Sequence, residues 1–333
     1  MIRVAVTEME YGKSRGVFAA AAQEGLDCRA APSGEPALTD FVRRHDVRHV
    51  IVGVEPYAGP LYEALPRGGV LARFGVGHDN VDKAAATARG ILCTNTPGAL
   101  DDSVAEHAVN LMLAAARMTV PAANCARGGS WSAFVGRELA GKTLAVIGCG
   151  AIGRRVARIA ARGLGMRVSG CEVAGVDEDR LRAEFGFERV SPDFAAVVAD
   201  ADYISLHIPS TPATRHFINA PRLALLPPRA WLVNTARGAV VDEQALFDAL
   251  SAGRLAGAAL DVFEREPYVP VHPAKDLRTL PNTVLTPHIG SSTQEACDRM
   301  ATIALRNVRL ALAGRYHDMN LLNPDVIAYL TGG

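Results

Sequence analysis

Residues 143–153 read TLAVIGCGAIG, a strand-length apolar run that leads into three glycines with the spacing G-x-G-x-x-G. The run predicts a buried strand, and apolar residues at helical spacing from Ile152 onward predict a helix directly after the glycines. Gly148, Gly150 and Gly153 permit a tight turn, a close backbone approach to a pyrophosphate and close packing of helix on strand. The N–H groups of the helix N-terminus can then bind phosphate oxygens. The stretch therefore predicts a dinucleotide-binding turn.

A carboxylate ends the next apolar run, RVSGCE at 167–172. Glu172 follows Gly153 by 19 residues, the separation at which an acidic side chain reaches the adenosine ribose in dinucleotide-binding folds. Such a side chain accepts hydrogen bonds from both ribose hydroxyls and repels a 2′-phosphate, so it favours NAD over NADP. Arg154 and Arg167 lie near it in sequence and could weaken that preference. The residues predicted to contact the dinucleotide here are Gly148, Gly150, Ala151, Ile152, Gly153 and Glu172.

Strand-length apolar runs recur along almost the whole chain, separated by helical patterns. Most are rich in Val, Ile or Leu and are closed by Gly, Pro, Asn or Asp. Continuous apolar strands that alternate with helices are typical of parallel sheets covered on both faces. We therefore predict an α/β fold with two doubly wound parallel-sheet lobes. The runs span residues 4–6, 49–54, 70–76, 90–95, 143–148, 167–172, 203–208, 230–235, 258–262 and 283–287.

Three helices carry start or stop signals. The patterns SVAE at 103–106 and STQE at 292–295 each match a capping box, in which the Ser caps a helix and the Glu binds back to its amide. The first of these helices is predicted to extend over 103–119. Another helix is predicted to begin at Asp242 and to stop at Gly253, because glycine readily adopts the left-handed conformation that ends many helices.

The long helix at 103–119 follows four of the apolar runs and precedes the other six. We predict a first domain of residues 1–98, completed by residues 290–333, and a second domain of residues 99–289 that carries the glycine turn. The first domain is predicted to bind the substrate and the second to bind the dinucleotide.

Composition narrows the classes of partner. Lys+Arg and Asp+Glu are equal at 35 each, so the chain lacks the basic excess of a nucleic-acid-binding protein. The six cysteines are scattered with no C-x-x-C pair, which predicts reduced thiols and no metal site. The sequence has neither a signal-peptide pattern nor an apolar run long enough to span a membrane. We therefore expect a cytoplasmic protein with no nucleic-acid, membrane or metal partner.

Three polar residues follow the ends of the last predicted strands, where ligands bind in open α/β sheets. Arg237 follows AWLVNTA, Glu266 follows AALDVFER and His288 follows TVLTP. An arginine matches a carboxylate with a permanently charged fork, and a histidine can donate or accept a proton near neutral pH. A glutamate hydrogen-bonded to that imidazole would orient it. The set is suited to binding and reducing a 2-keto acid.

Six ordered motifs resemble the D-isomer-specific 2-hydroxyacid dehydrogenase family, close to its phosphoglycerate and glyoxylate/hydroxypyruvate dehydrogenases. The resemblance covers about residues 49 to 320. The resemblance assigns the family's catalytic triad to Arg237, Glu266 and His288, with Glu266 rather than Glu264 as the glutamate before the proline. It implies a Rossmann nucleotide-binding domain, a flavodoxin-like substrate domain, NAD as cofactor and a homodimer. The motifs are GVGHDNVD at 75–82, NTPG at 95–98, VAEH at 104–107, NTARGAVVDE at 234–243, ALDVFEREP at 259–267 and TPHIG at 286–290.

The same resemblance implies further contacts. Asp261 would hold the nicotinamide carboxamide, and backbone amides around Val76 and Gly77 would bind the substrate carboxylate. The segment 131–136, which lies near the partner's active site in relatives, has no basic residue and so disfavours a phosphorylated substrate. Additional cofactor contacts are implied for Pro209, Thr235, Ala236 and Gly290.

The main hypothesis is therefore an NAD-dependent oxidoreductase that transfers a hydride between nicotinamide and C2 of a small D-2-hydroxy or 2-keto acid. One alternative is a non-enzymatic NAD(H) sensor, because this fold also serves as a transcriptional corepressor. Another is a dehydrogenase of the same fold that oxidises phosphite. Formate-oxidising relatives carry a glutamine where Glu266 stands, which disfavours formate as the substrate.

Overall fold

The computed structural model describes residues 1–331, which form two compact units. Unit 1 comprises Met1–Leu100 and the chain from Ser291 onward, and unit 2 comprises Asp101–Gly290. Each unit contains one sheet of parallel strands with its connecting helices. The predicted α/β class with two parallel-sheet lobes is confirmed.

Unit 1 has a five-stranded parallel sheet. Its strands are β1 (Ile2–Thr7), β2 (Leu26–Ala31), β3 (His49–Val52), β4 (Val70–Arg73) and β5 (Leu92–Thr94), in the order β2-β1-β3-β4-β5. Its first helices are α1 (Glu8–Lys13), α2 (Arg15–Ala20), α3 (Glu35–Arg44), α4 (Leu61–Ala64) and α5 (Lys83–Ala88). Short 3-10 turns lie at Ala21–Glu24 and Tyr316–Asp318.

Unit 2 has a seven-stranded parallel sheet. Its strands are β6 (Thr143–Ile147), β7 (Arg167–Cys171), β8 (Arg189–Ser191), β9 (Tyr203–Leu206), β10 (Trp231–Asn234), β11 (Gly257–Leu260) and β12 (Thr283–Leu285). They lie in the order β12-β11-β10-β9-β6-β7-β8. Its helices are α6 (Asp101–Ala116), α7 (Thr119–Arg127), α8 (Ala151–Arg158, continued by a π-helical turn at Ile159–Gly163), α9 (Glu178–Phe185), α10 (Phe194–Val198), α11 (Ala220–Leu223) and α12 (Glu243–Ser251), with 3-10 turns at Gly238–Val240 and Leu277–Thr279.

The chain returns from unit 2 to complete unit 1. Helix α13 (Gln294–Leu312) packs on β4 and β5, and α14 (Val326–Thr331) packs on α5. Between them, Leu321 bridges Thr94 in an antiparallel sense. The N–H of Cys93 donates to Asn323 Oδ1 at 2.9 Å, and the Leu322 N–H donates to the Cys93 carbonyl at 2.9 Å. The edge of the sheet at β5 is therefore covered by residues from near the end of the chain.

Both faces of the unit 2 sheet are buried. Along β6, Ala145 and Ile147 pack into one apolar cluster with α10, α11 and α12. The alternate residues Leu144 and Val146 pack into a second cluster with α6 and α8. A strand buried on both faces needs apolar residues throughout, which explains the continuous apolar runs. Because the strands are parallel, the segments that follow them all begin at one edge of the sheet, where ligands bind in this fold class.

Each of the ten predicted runs contains a strand, but β2 and β8 were missed. Both lie at a sheet edge, β2 in unit 1 and β8 in unit 2. Arg29 and Ala30 in the middle of β2 are exposed, and β8 has no buried residue. An edge strand buries less side-chain surface than a central one, so its sequence lacks the apolar signal.

Two predicted helix caps, Ser103 and Ser292, were wrong. Helix α6 begins at Asp101, so Ser103 lies within its first turn. Helix α13 is capped by Thr293, whose hydroxyl accepts a hydrogen bond from the Ala296 amide at 3.2 Å, instead of by Ser292. Hydroxyl residues that are adjacent in sequence can each cap a helix, and the packing of the helix decides between them.

The predicted bounds of α12 are confirmed. The Asp242 carboxylate caps the helix by accepting hydrogen bonds from the Gln244 and Ala245 amides, each at 3.1 Å. The helix ends at Ser251, and Gly253 follows in the left-handed conformation with a φ of 64°.

Within residues 1–331, no helix is long and apolar enough to cross a membrane. Over the same range, no group of three or more His, Cys, Asp and Glu residues is placed to hold a metal ion.

Candidate active site

The glycine turn of unit 2 is held by close backbone contacts. A Cβ on Gly153 would lie 2.1 Å from the Gly148 carbonyl oxygen, and a Cβ on Gly148 would lie 2.8 Å from the carbonyl oxygen of His207. Gly148 also has a positive φ of 97°. By contrast, a Cβ on Gly150 would meet no atom within 4 Å, so packing inside the protein does not require a glycine there. A glycine at this open position suits the approach of a phosphate to the start of α8.

Glu172 is anchored beside this turn. Its Oε2 accepts a hydrogen bond from the Cys149 N–H at 3.0 Å, and its Oε1 accepts from the amides of Val173 at 2.9 Å and Ala174 at 3.1 Å. The carboxylate therefore lies at the carboxyl end of β7, next to the glycines, as a ribose-binding acid must.

The two arginines that could oppose Glu172 lie in different places. Arg167 begins β7 whereas Glu172 follows its end, so the strand separates them by about 16 Å at about 3.3 Å per residue. Arg167 donates instead to Thr143 Oγ1 at 2.6 Å. Arg154 is closer to the turn and donates to the Gly150 carbonyl at 3.2 Å. The expected influence of Arg167 on the cofactor preference is therefore not supported.

The segment after β10 offers a buried polar atom to a ligand. The Thr235 hydroxyl is buried, and no described residue hydrogen-bonds to it. Ala236 follows, with its N–H donating to Asn234 Oδ1 at 3.0 Å. In the segment that follows the neighbouring strand β9, the Pro209 carbonyl accepts a hydrogen bond from Thr214 Oγ1 at 2.6 Å. A buried hydroxyl without a protein partner costs free energy unless a ligand or water binds it, so Thr235 fits a cofactor contact.

Asp261 follows β11 and is almost fully buried, with 1% of its surface exposed. Its Oδ1 accepts hydrogen bonds from Thr286 Oγ1 at 2.6 Å and from the Ile289 N–H at 2.9 Å, and its Oδ2 accepts from the Gly290 N–H at 2.8 Å. Burial alone would raise the pKa of Asp261, but these bonds and one from His107 outweigh it and hold the pKa below its ordinary value. The carboxylate is therefore charged, and Oδ2 can accept one more hydrogen bond.

His107 is part of this network. Its Nε2 lies 3.3 Å from Asp261 Oδ1 and 3.1 Å from Thr286 Oγ1. From the sequence alone, His107 was interpreted as a packing or hinge residue with no direct chemical role, and its only signal was its place in the VAEH motif. Two other residues were missed in the same way: Glu243 and Glu264 lie inside quoted motifs, and their contacts are described below.

The structure brings together Glu266 and His288. His288 Nδ1 lies 2.6 Å from Glu266 Oε2, and Glu266 Oε1 accepts a hydrogen bond from the Phe263 N–H at 2.9 Å. A carboxylate only accepts, so the hydrogen of the short contact belongs to Nδ1, and Nε2 is left for other chemistry. His288 has a positive φ of 53°, and its N–H donates to the Asp261 carbonyl at 2.8 Å. The imidazole is thus held through both its backbone and its ring.

Arg237 follows β10, the strand next to β11. Its Nη1 donates to the Ala236 carbonyl at 2.7 Å, and its own carbonyl accepts a hydrogen bond from Asn234 Nδ2 at 2.9 Å. Arg237, Glu266 and His288 therefore follow the carboxyl ends of the three adjacent strands β10, β11 and β12.

The predicted substrate loop lies in unit 1, directly after β4. The Val76 carbonyl accepts a hydrogen bond from Asn95 Nδ2 at 2.8 Å, and Val76 and Gly77 are both half-buried. Gly75 precedes them with a φ of 148°, and a Cβ there would lie 2.6 Å from the Arg73 guanidinium. This loop is ordered by contacts within its own unit.

Comparison with known proteins identifies the family of this chain. A family model described as D-isomer specific 2-hydroxyacid dehydrogenase, NAD binding domain, matches residues 109–290, which is more than half of the chain. The chain belongs to this family. The resemblance noted from the sequence motifs is confirmed, and so is NAD as the cofactor.

Relatives of this dehydrogenase match over nearly its whole length. A glyoxylate reductase from Thermococcus litoralis is 41% identical over 90% of this chain and 90% of its own. A D-lactate dehydrogenase from Aquifex aeolicus, solved with NAD and lactic acid, has a TM-score of 0.81 and 27% identity over 96% of this chain and 99% of its own. An NADPH-dependent glyoxylate/hydroxypyruvate reductase from Sinorhizobium meliloti, solved with NADP and malonate, has a TM-score of 0.78 and 31% identity over 94% of both chains.

The protein is therefore an oxidoreductase of the D-isomer specific 2-hydroxyacid dehydrogenase family. It transfers a hydride between a nicotinamide cofactor and a small 2-hydroxy or 2-keto acid.

Proposed function

We propose that this dehydrogenase uses NADH to reduce a small, unphosphorylated 2-keto acid of the glyoxylate or hydroxypyruvate class to the corresponding 2-hydroxy acid, with the D configuration wherever C2 is a stereocentre. The observation that carries the proposal is the 2.6 Å contact between His288 and Glu266 at the carboxyl edge of the sheet. Two relatives named for glyoxylate support the substrate class, as does the lack of a basic residue in segment 131–136.

His288 is the proton donor in this mechanism. Glu266 holds the Nδ1–H, so Nε2 carries the proton that moves to the carbonyl oxygen during reduction and returns during oxidation. NADH, when bound, would supply the hydride that C2 of the substrate receives. Glu266 keeps the ring in one orientation and stabilises the imidazolium form, as the carboxylate does in other His–carboxylate pairs.

Arg237 binds the substrate in this mechanism. Its guanidinium provides a planar, permanently charged fork that matches the substrate carboxylate and its neighbouring carbonyl oxygen. The backbone amides of Val76 and Gly77 in unit 1 are assigned to the same carboxylate. Unit 1 is correspondingly assigned as the substrate-binding domain and unit 2 as the NAD-binding domain.

The cofactor assignment follows the contacts of unit 2. We assign the pyrophosphate to Gly148, Gly150 and Gly153 with the first residues of α8, Ala151 and Ile152, and the adenosine ribose to Glu172. That carboxylate would repel a 2′-phosphate, so NAD is preferred over NADP. The remaining contacts are assigned to Pro209, Thr235, Ala236, Gly290 and, for the nicotinamide carboxamide, Asp261.

We also propose a homodimer in the cytoplasm. Helix α7 has no buried residue, and Trp131 and Val135 beyond it are 98% and 90% exposed. Such apolar exposure on a single chain favours an interface with a second copy. All six cysteines are free thiols, which suits a reducing compartment. Analytical ultracentrifugation tests the dimer, and Trp131→Asp should shift it towards the monomer.

Turnover of a panel of 2-keto acids with NADH tests the function. Glyoxylate and hydroxypyruvate should be reduced, whereas His288→Asn should lower kcat by roughly 10²- to 10⁴-fold and still bind NADH. A protein that binds NADH and reduces no member of the panel would overturn the proposal in favour of a sensor. Oxidation of phosphite with NAD, tested in parallel, would instead favour the phosphite-type reaction.

A further inference from the structure

Two glutamates outside the triad exchange hydrogen bonds with each other's backbone. The Glu264 N–H donates to Glu243 Oε1 at 2.5 Å, and the Glu243 N–H donates to Glu264 Oε1 at 3.1 Å. Glu243 is 5% exposed, and 9% of the Glu264 side chain is exposed. A buried carboxylate needs such partners, because burial without hydrogen bonds is costly. We call Glu243 and Glu264 the glutamate clasp.

The clasp joins the two segments that carry the triad residues. Glu243 begins α12, six residues after Arg237, and Glu264 precedes Glu266 by two residues. Between them the backbones are in direct contact, since a Cβ on Gly238 would lie 1.8 Å from the Phe263 carbonyl carbon. The arginine segment and the glutamate segment are therefore packed without any intervening side chain at this point.

A third segment supports the clasp from the side of β9. His216 Nε2 donates to Glu264 Oε2 at 2.8 Å. The backbone of His216 is itself tied to the arginine segment, because its N–H donates to the Ala239 carbonyl at 2.8 Å. Arg215 Nη2 lies 3.7 Å from the same oxygen of Glu264. Glu264 is thus the point at which the segments after β9, β10 and β11 meet.

We propose that Glu243 and Glu264 are positioning residues of the reaction: their reciprocal hydrogen bonds hold the segment of Arg237 against the segment of Glu266. This inference rests on the proposed roles of the triad. Arg237 would bind the substrate while Glu266 orients the proton donor, so the distance between the two segments sets the geometry of the reacting groups. An error of about 1 Å in such geometry can cost roughly a hundredfold in rate.

The two carboxyl oxygens of Glu243 have different surroundings, and the clasp depends on Oε1. Its Oε2 is buried, and no described residue hydrogen-bonds to it. Burial is the main cause that raises the pKa of Glu243 to about 7. The negative charges of Glu264 and Glu266 act in the same direction, whereas the hydrogen bond from the Glu264 N–H lowers the pKa. A protonated carboxyl still accepts the Glu264 N–H through its carbonyl oxygen, as a glutamine would. The other titratable groups that face the clasp are Arg265, Tyr268, Arg215 and His216.

The test compares two substitutions of Glu243 in the full-length enzyme. Glu243→Gln keeps the acceptor for the Glu264 N–H, whereas Glu243→Met keeps the length of the side chain and removes the acceptor. With glyoxylate and NADH as substrates, Glu243→Met should lower kcat by at least about tenfold and leave the Kd for NADH within about twofold of the wild-type value. Glu243→Gln should keep at least about half of the wild-type kcat. NADH binding should be spared because the glycine turn and Glu172 follow β6 and β7, away from the clasp. The cofactor contacts assigned to Thr235 and Asp261 directly follow β10 and β11, before the two clasped segments begin.

Glu184→Met is the matched control. Glu184 lies in the same unit, its side chain is half-exposed, and it pairs with Arg180 on its own helix at 3.1 Å. It should leave kcat, KM and the Kd for NADH unchanged. If Glu243→Met does not fold, His216→Asn provides the second variant. The His216 side chain is 34% exposed, and asparagine tolerates its positive φ of 49°. This variant loosens Glu264 and should lower kcat several-fold.

The results for these variants either support or overturn the positioning role of the glutamate clasp. Loss of kcat in Glu243→Met with recovery in Glu243→Gln supports the clasp. A lower melting temperature with unchanged kcat in Glu243→Met, or unchanged kcat in His216→Asn, assigns these residues to stability alone and overturns it. The proposed function is tested separately, because a wild-type protein that reduces no 2-keto acid overturns that function and the clasp with it.

Discussion

Replacing Glu243 by glutamine should change how the stability of unit 2 depends on pH. Burial raises the pKa of Glu243 from its ordinary value of 4.5 to about 7. Between these two pH values the folded protein holds a proton that the unfolded chain has released. The free energy of unfolding therefore falls as the pH rises through this window. Glutamine resembles the protonated carboxyl and does not titrate. The free energy of unfolding of the variant should therefore not fall in this way as the pH rises.

The size of the effect follows from the shift. A difference of 7 − 4.5 = 2.5 pKa units, at 1.36 kcal/mol for each unit, corresponds to about 3 kcal/mol. The free energy of unfolding of Glu243→Gln, relative to that of the wild type, should therefore rise by about 3 kcal/mol as the pH goes from 4.5 to above 7. All other titrating groups are shared by the two proteins and cancel in the comparison.

Urea unfolding followed by tryptophan fluorescence measures this difference at pH 5, 6, 7 and 8. Both tryptophans, Trp131 and Trp231, lie in unit 2, so the signal reports the unit that contains Glu243. Glu184→Gln, on the surface of the same unit, should show no pH-dependent difference from wild type. A stability difference between Glu243→Gln and wild type that stays constant over this range, or that shrinks as the pH rises, would refute the reasoning.

Three further predictions concern the substrate and cofactor contacts. Arg237→Lys should raise KM and lower kcat together, since a point charge lacks the bidentate fork, and full activity in steady-state assays would refute the role of the guanidinium. Wild type should prefer NADH over NADPH by at least about tenfold in kcat/KM, and Glu172→Ala should narrow that gap because a hydrogen bond to a charged acceptor contributes about 1.5–3 kcal/mol. Equal use of both cofactors by the wild type would contradict this. Gly153→Ala should weaken NADH binding and lower the unfolding free energy by at least about 1 kcal/mol, because its Cβ would lie 2.1 Å from the Gly148 carbonyl oxygen. Unchanged fluorescence titration and urea curves would show that the turn adapts.

The sequence was most informative where burial is complete. Strands such as β6 and β10 are covered on both faces, so their residues are apolar throughout and could be recognised without knowing their neighbours. The edge strand β2 could not be recognised in this way, because it is not apolar throughout and Arg29 at its centre is exposed. Helix starts were less exact, because Ser103 lies inside the first turn of α6 and Thr293 caps α13 in place of the neighbouring Ser292.

Contacts between segments distant in sequence could not be predicted in this way. The pairing of Glu243 with Glu264 depends on the packing of Gly238 against Phe263, and no local pattern encodes that packing. Proximity in sequence was also misleading for Arg167. It begins the five-residue strand β7, whereas Glu172 follows the end of that strand, so the two side chains lie at opposite ends. What the sequence could predict was the order of polar residues at strand ends, since parallel strands bring those ends to one edge.

The discontinuity of unit 1 has a consequence for the order in which the protein folds during synthesis. Unit 2 is a single stretch of chain and can fold once residue 290 has left the ribosome. Strand β5 is made far earlier, but its edge pairs with residues 321–323, which are made about two hundred residues later. Until then the nascent chain carries an unpaired strand edge beside a sheet that lacks α13. Such edges are sites of aggregation, so the first hundred residues are the part of the nascent chain most in need of a chaperone.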